Sequence, residues 1–177
     1  MKVSWTAPAG SSSGDYILLA SPGAPDWWSL SSVTTKGATS GTFSVPIPSG
    51  SGLYEFRYYK SNGSTPVARS NTLAQNCAAF TVKPNPTTVT RGGNTTVSWT
   101  APANRPGNWG DTIGLYKVGQ SSDLPPVSYV YPQGSAGGTT TGTYTVTAPA
   151  TAGSYEFRYI LANQGYVAAV VSPVTVQ

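Results

Sequence analysis

The sequence predicts an all-β chain built as two tandem antiparallel β-sandwiches, and three observations carry that prediction. The segment Val3-Ser4-Trp5-Thr6-Ala7-Pro8-Ala9 returns unchanged as Val97-Ser98-Trp99-Thr100-Ala101-Pro102-Ala103, the mark of an internal repeat. Several short runs alternate apolar and polar residues with period two, as half-buried strands do. Finally, Gly 20, Pro 15 and only 9% charged residues in 177 suit turns better than helices, whose exposed faces draw on Glu and Lys.

The repeat extends well past its first seven residues. Gly14-Asp15 matches Gly110-Asp111, Gly41-Thr42 matches Gly142-Thr143, and Tyr54-Glu55-Phe56-Arg57-Tyr58 matches Tyr155-Glu156-Phe157-Arg158-Tyr159. The offset grows from 94 to 101 along the way, which places insertions between Ala9 and Asp15 and around Gly119 to Gly142, where loops tolerate variation. At the far ends Gly63 pairs with Gly165, Ser70 with Ser172 and Gln75 with Gln177. The boundaries predicted are therefore 1–75 for the first repeat and 76–177 for the second, joined at Gln75-Asn76 with almost no linker. The second repeat opens with Ala79-Phe80-Thr81-Val82, a Pro-Asn-Pro turn and Thr88 to Gly93, about twenty residues without counterpart in the first. A trimmed chain is the favoured reading, and strand exchange with a neighbouring chain the other.

Strand faces follow from the alternation. Val3 and Trp5 share one face, as do Val97 and Trp99, with Ser or Thr opposite; Tyr54, Phe56 and Tyr58 share another, as do Tyr155, Phe157 and Tyr159. Glu55, Arg57, Glu156 and Arg158 then fall on outer faces as solubilising charges, whose exposed pairs contribute only about 0–1 kcal/mol. Six strands in the first repeat and seven in the second describe an immunoglobulin-like sandwich. An early Val-Ser-Trp-Thr-Ala-Pro strand followed by a Tyr-Glu-Phe-Arg-Tyr strand resembles fibronectin type III domains. That resemblance implies a buried Trp in each repeat and tyrosine corners at Tyr54 and Tyr155, whose hydroxyls bond backbone. The stretch Gly110 to Gly119, with Tyr155 to Ser172 after it, more specifically resembles sandwich modules appended to secreted bacterial hydrolases and phosphoesterases. It is also similar to membrane-targeting sandwich domains of some eukaryotic inositol phosphatases. The bacterial resemblance implies an accessory module of a secreted or cell-surface protein, with a fused catalytic domain in its parent. These motifs speak to fold and leave the ligand open.

Composition removes most chemistry. The net charge of +4 is spread singly over ten Lys and Arg, so no basic patch predicts nucleic-acid or membrane partners. No apolar run nears the roughly 18 residues of a membrane span. Met1-Lys2 leads directly into Val3 without a signal-peptide core, so the sequence reads as a piece of a longer exported protein. With no histidine anywhere, Ser-His-Asp and Cys-His catalysis and histidine-bearing metal sites are excluded. Cys77 is alone, hence without an intrachain disulfide, and reads as a buried, inert thiol. Asp15 and Asp111 occupy equivalent positions, which suggests a repeated structural task at loop amides; calcium would need about six to eight oxygens. Asp26 and Asp123 lie in non-equivalent loops and form no acid–base pair. Gly-Gly at 92 and 137 lacks the Lys of a phosphate cradle and reads as turns. The expectation is a non-enzyme with neither cofactor nor metal.

Aromatic residues outside the strand pattern are the candidate binding residues. Trp27 and Trp28 follow Pro25-Asp26 in a polar segment, and as neighbours they cannot both point inward. Tyr129 and Tyr131 share a face, and Trp109 sits in an inserted loop. Exposed rings of this kind stack on sugars or other extracellular polymers at low entropic cost. The competing reading packs one Trp against the sandwich end or the neighbouring repeat and leaves a structural spacer or adhesion segment.

Overall fold

The computed structural model describes residues 1–102, 110–132 and 140–177. In the first repeat β1 (Lys2–Thr6) pairs with β4 (Ser40–Ser44), and a facing sheet runs β3 (Ser31–Thr34), β2 (Tyr16–Ala20), β5 (Gly52–Tyr59), β6 (Ala68–Arg69). A further segment, β7 (Leu73–Gln75), pairs with the start of β5. The second repeat has a sheet of β13 (Thr141–Thr147), β10 (Asn94–Thr100) and β8 (Thr81–Asn85), facing one of β12 (Ser128–Val130), β11 (Thr112–Lys117), β14 (Gly153–Ile160), β15 (Ala168–Val176) and β9 (Thr88–Val89). Each repeat is thus an immunoglobulin-like sandwich. Among the described residues, no strand before Asn76 pairs with a strand after it.

The expected six strands become seven segments because the last strand of the first repeat breaks between Arg69 and Leu73, where β15 runs unbroken. The second repeat gains the short β9, which pairs parallel to β15.

Alternation built the core of the second repeat as anticipated; in the first, Val3 and Trp5 are only half-buried, so the buried Trp expected in each repeat holds for Trp99 alone. Val97 and Trp99 are 0% and 6% exposed, packed with Val82, Leu115 and Phe157. Opposite Trp99 the register places Gly142, where a Cβ would stand 2.8 Å from the indole. Glycine is required there to admit the ring. Gly41 faces Trp5 in the same way.

The buried carboxylates repeat one task. Asp15 accepts hydrogen bonds from Ser61 N at 3.0 Å, Tyr58 Oη at 2.9 Å, Lys60 Nζ at 3.2 Å and Ser12 N at 3.3 Å. Asp111 accepts from Ala162 N at 3.0 Å and Tyr159 Oη at 3.3 Å. Burial alone would raise the Asp15 pKa, but the donors from Tyr58, Lys60, Ser61 and Ser12 outweigh it and hold the group below the ordinary carboxylate value. A depressed folded-state pKa stabilises the fold above the unfolded value, and that stabilisation disappears as pH falls through the lower one. Urea midpoints of the wild-type chain should therefore drop as pH falls below about 4, with a shallower drop for Asp15→Asn. Parallel pH profiles for the two chains would refute the account.

Three further expectations need correction. Arg57 and Arg158 are 0% and 1% exposed, and Glu55 7%, so this face of β5 and β14 is not a solvated one. A loop folds back over it in each repeat: Arg57 donates to the carbonyls of Ser21, Ala24 and Pro25, and Arg158 to Gln120 O and Ser122 Oγ. Second, the tyrosine corner holds only in the second repeat: Tyr155 Oη donates to Thr151 O at 3.0 Å, while the buried Tyr54 Oη has no partner. A Cβ at Gly52 would stand 2.6 Å from Tyr54 Oη and 2.6 Å from a Val167 methyl. Third, Cys77 is half-buried. Its thiol donates to Gln75 O at 3.2 Å, and burial pushes its pKa up, which favours the thiol over the thiolate.

Candidate functional site

The site starts with the loop that follows β2, Ser21-Pro22-Gly23-Ala24-Pro25-Asp26-Trp27-Trp28. Two tight turns shape it, Ala24 N to Ser21 O at 3.0 Å and Trp28 N to Pro25 O at 3.1 Å. The Arg57 guanidinium clamps it from beneath, donating to Ser21 O at 2.8 Å, Ala24 O at 3.0 Å and Pro25 O at 3.0 Å, and to Glu55 Oε1 at 2.7 Å. Tyr59 Oη adds a bond to Asp26 O at 2.8 Å. Arg69 spans Asp26, at 2.7 Å, and Glu55. A planar five-donor fork suits several carbonyls at once. The loop is consequently held at the carbonyls of Ser21, Ala24, Pro25 and Asp26, which fixes its backbone beneath the tip.

Trp27 and Trp28 part company there. Trp27 is 70% exposed. Trp28 is half-buried and turns toward the second repeat, where a Cβ at Gly165 would meet its indole at 3.3 Å. Tyr166 stands edge-on to both, with ring centroids 5.9 Å from Trp27 and 6.0 Å from Trp28 at 89°. Trp28 therefore belongs to the contact between repeats, and Trp27 alone of the pair faces solvent broadly.

Trp27 forms a ridge between two clefts. One, of about 570 Å³, lies between the repeats and is lined by Asp26, Arg69, Gln120, Asp123 and Glu156 among others. The other, about 460 Å³, lies over the first repeat's sheet beside Tyr16, Ser29, Ser32, Thr34 and Ser64. Tyr16 stacks flat on the buried Tyr59, centroids 5.0 Å apart. A flat ring flanked by hydroxyls, carboxylates and a guanidinium can stack on an apolar ring face and hydrogen-bond its edges.

The remaining candidates lie elsewhere. Tyr129 and Tyr131 are 56% and 53% exposed and meet edge to face at 5.5 Å, but line neither cleft beside Trp27. Trp109 lies outside the described residues. No group of three or more Asp, Glu, Cys or His residues among the described ones could hold a metal ion. Among the same residues no helix is long and apolar enough to cross a membrane.

No known family's profile matches the chain, and no curated protein sequence does. Among solved structures, 99% of the chain superposes on 64% of an Escherichia coli adhesin, FdeC, at 15% identity with a TM-score of 0.38. All of it superposes on 88% of the D0–D1 domain of intimin, at 11% identity with a TM-score of 0.32. The chain thus spans less than two thirds of the FdeC chain.

Tyr166, Tyr16 and Arg69 were not singled out from sequence. For Tyr166 a signal existed: at the offset of 102 that pairs Gly63 with Gly165, Ser64 of the first repeat becomes Tyr166 in the second. A small polar residue replaced by a ring at an otherwise matched turn marks a surface that acquired a neighbour.

Proposed function

We propose that the chain is a non-catalytic accessory module of a secreted or surface protein, and that it binds carbohydrate or a similar extracellular polymer through Trp27. The observation that carries this reading is a broadly exposed indole on a clamped loop between two clefts whose walls mix apolar surface with hydroxyl, carboxylate and guanidinium groups. Pre-ordering of this kind removes the ordering cost that a free side chain would incur on binding. Polar neighbours such as Asp26, Ser29 and Ser32 supply donors and acceptors of the type a sugar edge needs. The absence of histidine from the sequence supports a non-catalytic role. So does the use of Arg57 and Arg158 as internal clamps, which withdraws two of the ten cations from any basic patch that nucleic acid would require.

Affinity electrophoresis against a panel of polysaccharides tests the reading. At least one polymer should retard the wild-type chain, and Trp27→Ala should weaken that binding by about tenfold or more, as loss of an aromatic anchor does. Retardation by none, or retardation unchanged in Trp27→Ala, removes it.

A second reading, a spacer or adhesion segment without a ligand of its own, draws on the contact between repeats. Ser122 N donates to Gly23 O at 2.7 Å, and Ala168 N to Ser21 Oγ at 3.1 Å. Gly23, with φ of 77°, admits no side chain: a Cβ would lie 2.7 Å from the Arg158 guanidinium. Such interlocking limits hinge motion and favours a stiff rod. Failure of every polymer in the panel would leave this reading standing.

A further inference from the structure

The two repeats finish the outer face of the same sheet differently. In the first, Ile17 and Leu19 of β2 belong to the core, so by alternation Tyr16 and Leu18 point away from β1 and β4. Loop 21–28 lies over one part of that face, on Arg57. The rest is the cleft of about 460 Å³ over Tyr16 and Tyr59. Its floor follows from the register: Tyr16 lies opposite Tyr59 on one side and Thr34 on the other, and Leu18 opposite Ser32. Counted from the matched Asp15 and Asp111, the second repeat has Gly114 in place of Leu18, and there Tyr129 lies opposite. A serine thus stands in the first repeat where the second carries a ring, and the first repeat has a trough.

The polar groups on the two sides of Trp27 differ in whether they are already engaged. In the cleft between the repeats, Glu55 accepts from Arg57 and Arg69, Asp26 from Arg69, and Glu156 from Arg158. Over the sheet, Ser29, Ser32, Thr34 and Ser64 are exposed, and among the described residues none of their hydroxyls has a partner within the chain. Each can both donate and accept. Among the described residues lining this trough Asp26 alone is charged, and one of its oxygens is taken by Arg69 at 2.7 Å.

We infer that this trough, with Trp27 as its rim, takes an uncharged polysaccharide. The inference rests on the proposed binding through Trp27 and adds the cleft and the class of polymer. One sugar stacks on the Trp27 indole, and its neighbours lie along β3, exchanging hydrogen bonds with the hydroxyls of Ser29, Ser32 and Thr34. A volume of about 460 Å³ falls within the roughly 300–1,000 Å³ of ligand clefts. A polyuronate or sulfated polymer would bring anions beside Asp26 with no Lys or Arg in the lining to meet them, and burying an unpaired charge is costly.

The test is affinity electrophoresis in gels holding hydroxyethyl cellulose, galactomannan, alginate or glycol chitosan, at about 0.15 M salt so that the chain's net charge is screened. At least one of the two neutral polymers should retard the wild-type chain, and the two charged ones should not. Trp27→Ala should weaken that retardation by about tenfold or more. Ser32→Glu and Thr34→Glu, each setting a longer charged side chain in the trough, should do the same. Both positions are exposed and neither hydroxyl has a partner among the described residues, so both variants should melt with the wild-type chain. Asp123→Ala, in the cleft on the other side of Trp27, should change retardation by no more than about twofold. Retardation by alginate or glycol chitosan alone, or a loss in Asp123→Ala that the two glutamate variants do not share, would overturn the inference and leave binding through Trp27 standing. Retardation by none of the four, or retardation unchanged in Trp27→Ala, would remove both.

Discussion

Arg57→Met should lower the stability of the first repeat by about 3–5 kcal/mol, the range for removing one partner of a buried charge network. Methionine fills much of the same volume, and where an arginine merely pairs with a carboxylate an apolar substitute can be harmless. Here the guanidinium also satisfies three backbone carbonyls, those of Ser21, Ala24 and Pro25. Orphaned under a closed loop, each would carry a desolvation penalty of about 1–3 kcal/mol unless the loop lifts away to reach water. Lifting the loop relinquishes the Ser21 and Gly23 bonds to the second repeat and frees Trp27. Thermal unfolding followed by circular dichroism should show the first transition fall by more than about 12 °C, taking about 4–8 °C per kcal/mol for a domain of this size. Arg57→Lys should recover little, since an ammonium cannot span the same fork. By contrast, Arg69→Ala, at a side chain 41% exposed, should cost about 1 kcal/mol or less. A first transition within two or so degrees of wild type in Arg57→Met would mean that the loop is held by something other than this clamp.

That clamp marks where the sequence stops being legible. Alternation along Tyr54-Glu55-Phe56-Arg57-Tyr58 assigns Glu55 and Arg57 to one face and the rings to the other, and it does so correctly. It cannot say whether the polar face meets water or a loop, because that depends on where residues 21–28 travel after β2, a tertiary matter with no local period. The second repeat repeats the device: Arg158 donates to Gln120 O at 2.6 Å and Ser122 Oγ at 2.8 Å and lies 4.5 Å from the Tyr116 ring centre. Two identical Glu-x-Arg pairs inside an otherwise charge-poor chain were therefore the available hint, since solubilising charge has no need to be conserved between copies in kind and spacing. The Val-x-Trp strands were easier, as a ring facing glycine across a pair leaves one arrangement. For Trp27 and Trp28 the local argument fixed that one must leave the interior, and the second repeat, whose Gly165 lies against the Trp28 indole, decided which.

A cleft of about 510 Å³ lies against Trp5, walled also by Val3, Phe56 and Tyr58; it makes equal tryptophans unequal, and the difference can be measured. Trp99→Ala should destabilise the second repeat by about 3–5 kcal/mol, transfer and cavity costs together, because the ring is sealed between β8, β13 and the facing sheet. Trp5→Ala should cost the first repeat only about 1–2 kcal/mol, since a half-exposed ring forgoes part of its burial and its removal widens a space that solvent already enters. Urea unfolding of each variant, read through the separate transitions of the repeats, gives both values. Equal losses would mean that something in the chain closes the cleft in solution.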